Sequence, residues 1–156
     1  MKFSAQEEYG LRCLIRIGKY FKVEKSLTIP EISVYEGISQ HNVGKILRIL
    51  RMGGFLESER GQSGGYTLSA PPDKIKIIDV LFVLGGRLYD DSFCQSHTGM
   101  NDICTNTTEC SVRSLWKIIQ DAVDNVLVNL TLQDLLGTED NLFSLFDVAP
   151  GSNSSN

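Results

Sequence analysis

Apolar residues recur at three- and four-residue intervals through the first half of the chain, and the segment SAQEEYGLRCLIRIGKYF predicts a helix of about four turns. Ser4 and Glu7 have the spacing of a capping box at its start. A short helix follows, with Thr28 as its N-cap and Gly37 suited to end it in a left-handed conformation. Ser39 caps a third helix, QHNVGKILRILRM. This order of elements predicts a helix-turn-helix.

Two short segments with strand character, FLES at 55–58 and YTL at 66–68, flank a glycine-rich turn. This pattern predicts a β-hairpin, and a hairpin that follows a recognition-type helix is a wing. The predicted fold class is therefore mainly α with a small β-hairpin wing (α+β). Residues 1–85 are expected to form a winged helix-turn-helix DNA-binding domain.

The segment SVRSLWKIIQDAVDNVLVNLTLQDLL has apolar residues at helical spacing over about five turns. A helix this long in a small chain favours packing against a partner, although an ordinary core helix is the alternative. We therefore expect a dimerisation helix and a following short helix at 111–136. Residues 86–110 form a cysteine-containing loop in this division, and 137–156, which are acidic and then rich in Gly, Ser and Asn, are expected to be a flexible tail.

Charge is distributed unevenly over the 156 residues, whose net charge is −4. Residues 1–80 have 12 basic and 9 acidic residues, a net +3, whereas 81–156 have 3 basic and 10 acidic, a net −7. The acidic total disfavours indiscriminate binding of nucleic acid but allows a local basic face. No apolar run reaches the roughly 20 residues of a membrane span, and the charged N-terminus is unlike a signal peptide. The sequence predicts a cytoplasmic protein without membrane contact.

Polar side chains occupy the face of the third helix opposite its apolar stripe. A recognition helix reads base edges from its N-terminal turns, and arginines nearby bind phosphates. A merely solvated face is the alternative, which the helix-turn-helix context disfavours. The expected DNA-contacting residues are Ser39, Gln40, His41, Asn42, Lys45, Arg48, Arg51 and Arg60, with Gln62 and Ser63 at the tip of the wing. Two copies would bind a pseudo-palindromic operator on double-stranded DNA.

Three of the four cysteines lie in the segment FCQSHTGMNDICTNTTEC, residues 93–110. A reducing cytoplasm disfavours a structural disulfide there. Thiolates suit iron–sulfur clusters and zinc alike, but zinc sites usually contain tight Cys-x2-Cys pairs, which this segment lacks. A thiol–disulfide switch and cysteines without function remain open. Cys13, in the first helix, is expected to be a buried thiol without a role. No phosphate-binding loop or catalytic triad is apparent, so no enzyme is predicted.

The segments MKFSAQEEYGLRCL, KILRILRMGGFLESERGQSGGYTLS and the cysteine loop followed by CSVRSLW resemble the Rrf-type winged helix-turn-helix transcriptional regulators, of the IscR, NsrR, RirA and CymR kind. The resemblance covers about residues 1–135, and RGQSGGYTL is its most specific part. It implies a homodimeric DNA-binding regulator whose long helices cross at the dimer interface.

In cluster-binding members, three cysteines of this loop hold an iron–sulfur cluster, and they correspond here to Cys94, Cys104 and Cys110. IscR-like members have a histidine three residues after the third cysteine, where this chain has Arg113. The resemblance therefore implies a [2Fe–2S] or [4Fe–4S] cluster whose fourth ligand is His97 within the loop or Glu8 from across the dimer. Redox state, nitric oxide or iron status would be the signal. The alternative is a cluster-free regulator that uses a thiol–disulfide switch or zinc.

Overall fold

The computed structural model describes residues 2–61, 64–90, 92–100, 104, 106 and 108–147. Its helices and strands are, in chain order, α1 (Ala5–Tyr20), α2 (Ile29–Glu36), α3 (Gln40–Met52), β1 (Leu56–Ser58), β2 (Tyr66–Leu68), α4 (Ile77–Gly85), α5 (Phe93–Ser96), α6 (Ser111–Leu127), α7 (Leu132–Leu135) and α8 (Glu139–Ser144). A short 3₁₀ turn, Phe21–Val23, lies between α1 and α2, and another, Pro72–Lys74, lies between β2 and α4. The predicted fold class, mainly helical with one small hairpin, is confirmed.

Capping groups set the boundaries of the first helices. The backbone N–H of Ser4 donates to a Glu7 carboxylate oxygen at 2.7 Å, and Glu7 N–H donates to Ser4 Oγ at 3.2 Å. Thr28 and Glu31 form the same reciprocal pair at the start of α2. Gly37 ends α2 with φ of 65°, a conformation that costs glycine little. The capping residues predicted from the sequence are thus the ones that cap these helices.

The wing is an antiparallel hairpin in which Leu56 pairs with Leu68 and Ser58 pairs with Tyr66. Tyr66 also exchanges two backbone hydrogen bonds with Leu27, at 3.0 and 2.8 Å. A Cβ at Gly65 would lie only 2.8 Å from the Leu27 backbone, so the close approach of the two segments requires glycine there. The wing is therefore attached to the segment that leads into α2.

The buried core lies between α1, α3 and α4, and it excludes most of α6. Its fully buried residues include Leu14 and Ile17 of α1, Leu47 of α3 and Val80 of α4. No apolar side chain of α6 is buried to this extent, although Leu127 packs against the core from the end of that helix. The winged domain thus has its own core, and α6 lies largely outside it.

The chain after α6 returns to the winged domain. Ile77 N–H donates to Leu130 O at 3.0 Å, and Leu132 N–H donates to Ile75 O at 2.9 Å, which forms a short β-bridge between Lys76 and Thr131. The Leu132 side chain is fully buried in the core. The C-terminal end of α6 is therefore attached to the start of α4.

A further helix, α8, lies within the segment for which a flexible tail was expected. Thr138 Oγ1 accepts a hydrogen bond from Asn141 N–H at 3.3 Å, and Leu142 packs against the core. This cap and this apolar contact account for a helix in an acidic segment; residues 148–156 lie outside the described part. Among the described helices, none has the length and apolar character needed to cross a membrane.

Candidate DNA-binding surface and cysteine loop

The helix α3 divides into a buried face and an exposed face. Its buried residues are Val43, Ile46, Leu47 and Leu50. Gln40, His41 and Asn42 are exposed on its first turn, and Lys45, Arg48 and Arg51 are exposed further along. Ser39 is the N-cap and accepts a hydrogen bond from Asn42 N–H at 3.3 Å. The structure therefore brings the predicted α3 residues to one solvent-facing surface.

Two groups of basic side chains in the winged domain differ in their partners. Arg12 and Arg16 of α1 both bind the Glu36 carboxylate, with N–O distances of 3.2 and 2.6 Å. The Glu36 side chain is nearly buried, so these arginines link α1 to the end of α2. The second group, Lys45, Arg48, Arg51 and Arg60, forms no ion pair within the described part of the chain. These four cations are thus available for an external anion.

The turn between α2 and α3 is fixed by local hydrogen bonds. Ser33 Oγ donates to Ile38 O at 2.6 Å, and Ile38 is itself buried. Arg16 also lies over the Tyr35 ring, with its guanidinium carbon 4.9 Å from the ring centre. The first contact fixes the turn that leads into α3, and the second packs α1 against α2.

Arg60 follows β1 and is exposed on the wing, just before Gly61. The two predicted wing-tip residues, Gln62 and Ser63, lie outside the described residues. The wing therefore contributes one described cation to the predicted DNA-contacting set, in addition to those of α3.

The three cysteines of the loop are free thiols and are half-buried. Cys94 belongs to α5, and Cys110 is the N-cap of α6, where its sulfur accepts a hydrogen bond from Arg113 N–H at 3.3 Å. Within the described ranges, no three His, Cys, Asp or Glu side chains form a group able to hold a metal ion. The described residues thus do not assemble the predicted ligands into a coordination site.

Cys13 differs from the loop cysteines because its side chain is fully buried in the core. Burial, together with the negative charge of Glu36, raises the pKa of the Cys13 thiol to about 12. The thiolate is the nucleophilic form, so Cys13 is unreactive at neutral pH.

The imidazole of His97 is held in one orientation by its neighbour Phe93. Its Nδ1 lies 2.8 Å from Phe93 O, and its ring stacks on the Phe93 ring with centroids 4.1 Å apart. A carbonyl oxygen only accepts, so Nδ1 carries the hydrogen and the neutral ring has its lone pair on Nε2. Metal-binding histidines commonly have this arrangement, with the second ring nitrogen bonded to a carbonyl.

Glu8 lies on the first turn of α1 and is exposed. The start of α1 contacts the end of α4, because the Gln6 side chain donates a hydrogen bond to Leu84 O. The Glu8 carboxylate forms no ion pair within the described ranges. The start of α1, to which Glu8 belongs, is thus in contact with the end of α4, just before the cysteine loop.

A polar network that the sequence did not reveal connects the start of the loop to α6. Gln120 is only 5 % exposed; its Oε1 accepts a hydrogen bond from Tyr89 N–H at 3.0 Å, and its Nε2 donates to Asp124 Oδ1 at 2.8 Å. Asp124 in turn pairs with Arg87. The sequence indicates only the Gln120–Asp124 contact of this network, because residues four apart are neighbours on the surface of a helix. Their partners in the loop have no such pattern.

Comparison with known proteins gives consistent similarities over most of the chain. A family model described as "Rrf2: Iron-dependent Transcriptional regulator" matches residues 3–138. The transcriptional regulator CymR of Bacillus subtilis is 31% identical over 140 residues, which are 90% of this chain and 93% of that protein. Its solved structure, described as that of the global cysteine regulator, has a TM-score of 0.68 and covers 87% of this chain and 96% of that one.

Two other solved structures are similar to the same extent. The IscR of T. potens is 25% identical with a TM-score of 0.69, covering 97% of this chain and 94% of that one. CymR of Staphylococcus aureus in its oxidized form is 27% identical with a TM-score of 0.67, covering 88% and 98%. The similarity thus extends over both the winged domain and the long helix.

Proposed function

Since the chain belongs to the Rrf2 family of transcriptional regulators, which are not enzymes, we propose that it acts in the cytoplasm as a homodimer that binds a pseudo-palindromic operator. The α3 surface and the wing contact the DNA. The observation that carries this proposal is that the exposed cations of the α3 surface and the wing form no ion pair within the described chain; they are Lys45, Arg48, Arg51 and Arg60. Cations without protein partners can neutralise phosphates, which dominate the affinity for DNA.

The helix α6 supports the homodimer. Val112, Leu115, Ile118 and Val126 are between 50% and 64% exposed although they are apolar. Such a row of exposed apolar side chains marks a protein contact surface. A second copy with the same row would cover it in a two-fold symmetric contact.

Selection of binding sites from random double-stranded DNA tests the DNA-binding proposal and does not require the operator sequence to be known. The expected result is enrichment of inverted repeats whose half-sites are about one or more helical turns apart. Enrichment of single, unrepeated sites would contradict the dimeric mode of binding. Failure to enrich any sequence, from a folded protein, would contradict DNA recognition itself.

We further propose that Cys94, Cys104 and Cys110 hold a [2Fe–2S] or [4Fe–4S] cluster, with His97 as the fourth ligand in preference to Glu8. The donor set fits such a group chemically, since the three thiols are free and partly accessible, and His97 has its lone pair on Nε2. Binding would have to draw the ligands together, because the described residues hold no assembled group of three. The cluster would supply a centre that responds to redox state, nitric oxide or iron status.

Purification without oxygen, followed by measurement of the visible absorption, iron and acid-labile sulfide, tests the cluster. The expected result is a coloured protein with equal iron and sulfide. His97→Ala should reduce iron retention, Glu8→Ala should reduce it less, and Gln95→Ala, an exposed neighbour on α5, should leave it unchanged. A dependence on Glu8 greater than that on His97 would reverse the assignment of the fourth ligand.

A cluster-free regulator is the second candidate, and the unassembled ligand set favours it. The similarity to a CymR solved in an oxidized form points the same way, toward a thiol switch. A protein that stays colourless after reconstitution, and that loses two free thiols on mild oxidation, would support the switch. Stoichiometric zinc in that colourless protein would support a zinc site instead.

A further inference from the structure

Residues 87–90 and 92–97, here together called the entry segment, lie between α4 and the first cysteine and histidine of the loop. It contacts α6 at two points. The Tyr89 N–H donates a hydrogen bond to the buried Gln120, and the Arg87 guanidinium forms an ion pair with Asp124. These partners are 31 and 37 residues apart in the chain. The entry segment is therefore fastened to the long helix by long-range polar contacts rather than by local turn geometry.

Aromatic stacking continues this connection from Tyr89 to His97. The Tyr89 and Phe93 ring centroids are 5.5 Å apart, and the Phe93 and His97 centroids are 4.1 Å apart. Phe93 O also receives His97 Nδ1–H, and Cys94 follows Phe93 directly in α5. An unbroken series of contacts thus leads from Gln120 to the two proposed ligands of the entry segment.

Gln120 and Asp124 lie on the face of α6 opposite its exposed apolar row. At 100° per residue, Gln120 is about 140° and Asp124 about 180° around the helix from Leu115. One face of α6 therefore contacts the entry segment. The opposite face would contact the second copy in the proposed dimer.

We propose that Gln120 and Asp124 are positioning residues that hold Cys94 and His97 in a fixed position relative to α6. The proposal rests on the proposed function, because it assigns these residues a role in the same ligand set. A buried amide is expensive to leave unpaired, so the network holds the entry segment in one arrangement while all its hydrogen bonds are made. A change at the cysteines that moves Tyr89 away from α6 would break the Gln120–Tyr89 bond, which makes α6 sensitive to the state of the loop.

An exchange of amide and carboxylate between the two positions tests this assignment. In the double variant Gln120→Glu with Asp124→Asn, the new carboxylate at position 120 can accept from Tyr89 N–H and from the new amide at position 124. The oxygen of that amide accepts from Arg87, so every hydrogen bond has a donor and an acceptor. In Gln120→Glu alone two carboxylates face each other, and in Asp124→Asn alone one donor lacks an acceptor.

The measurements are the hydrogen-exchange rate of the Tyr89 amide and the alkylation rate of Cys94, both on the reduced, metal-free chain. Each single variant should accelerate both rates about three- to tenfold, as expected for the loss of one hydrogen bond. The double variant should return to within about twofold of the wild type, a coupling that independent sites do not show. Asp121→Asn, the same change at an exposed position of α6, is the control and should have no effect.

Unchanged rates in the single variants, or a double variant as fast as the singles, would overturn the proposal. If the single variants do not fold, the double variant compared with wild type decides alone, since raised rates there would count against it. The cluster is tested separately by iron and sulfide content. A chain without iron that follows the exchange pattern would reject the cluster and keep the positioning role. A chain that binds iron equally well in every variant, with unchanged exchange rates, would reject the positioning role and keep the cluster.

Discussion

The winged domain and α6 bury their apolar residues in opposite ways. The winged domain closes around fully buried side chains such as Leu14, Leu47 and Val80, whereas α6 leaves Leu115 and Val126 half exposed. Apolar surface removed from water stabilises a fold by about 25 cal/mol per Å². The winged domain has obtained that stabilisation within one chain. We infer that the exposed apolar residues of α6 obtain it only on association, so folding and dimerisation should respond to different substitutions.

The largest effect is expected from Leu47→Ala in the core of the winged domain. Removing a fully buried leucine side chain leaves a cavity and should lower the free energy of unfolding by about 2–5 kcal/mol. Urea unfolding followed by circular dichroism measures it. Met52→Ala, at an exposed position of the same helix, should change it by less than about 0.5 kcal/mol. Equal effects of the two substitutions would contradict the assignment of the core.

Leu115→Asp on α6 should weaken the dimer without unfolding the winged domain. A charge in the centre of an apolar interface should cost about 2 kcal/mol or more, a dissociation constant at least about 30-fold higher. Sedimentation equilibrium measures the dissociation constant. Lys117→Ala makes the same change of charge on a different face of α6 and should leave the dimer intact. A dimer that tolerates Leu115→Asp would place the interface elsewhere.

Arg48→Ala should reduce the affinity for the selected operator about tenfold. It should also reduce the magnitude of the slope of log K against log salt concentration by about two, because each protomer loses one phosphate contact. Fluorescence anisotropy over a range of salt concentrations measures both quantities. Lys74→Ala removes a cation from the 3₁₀ turn before α4 and should alter neither. A loss of affinity with an unchanged salt slope would instead indicate that Arg48 reads a base.

The smallest effect concerns the capping box of α2. Hydrogen bonds from the Thr28 backbone and side chain hold the pKa of Glu31 below its ordinary value of 4.5. A lowered pKa means that the ionised form stabilises the fold above about pH 4.5 and that this contribution is lost as the pH falls further. Glu31→Gln should therefore be destabilising at pH 7, by less than about 1 kcal/mol, and close to neutral at pH 3. Thermal unfolding at the two pH values measures the change in stability, and an equal loss at both pH values would contradict this role of the Glu31 charge.

Local signals in the sequence account for what could be predicted. Ser4, Thr28 and Gly37 act within three or four residues of themselves, so their roles follow from spacing, and so does the alternation of apolar positions in α3. The hairpin was equally accessible, because a glycine-rich turn between two strand-like segments has few other outcomes. These signals were sufficient to predict the winged domain and its exposed cations.

The contacts of the cysteine loop were not predictable in the same way. Gln120 and Arg87 belong to one network, yet no periodic pattern connects a helix residue with a loop residue more than 30 positions away. The role of Cys110 as an N-cap was also missed, because Ser, Thr, Asp and Asn are the residues expected there. Long-range polar contacts depend on the assembled fold, and a single sequence does not reveal them.

The β-bridge between Lys76 and Thr131 attaches one end of α6 to the winged domain, so α6 can tilt about that end. The helix has 17 residues and is therefore about 25 Å long. Its C-terminal end is attached to the winged domain by this bridge, and its N-terminal end follows the cysteine loop. A tilt of about 10° around that attachment would move the N-terminal end of α6 by about 4 Å. In the proposed dimer, a displacement of a few ångströms at the loop would rotate the winged domain relative to α6 and so change the separation of the two α3 helices.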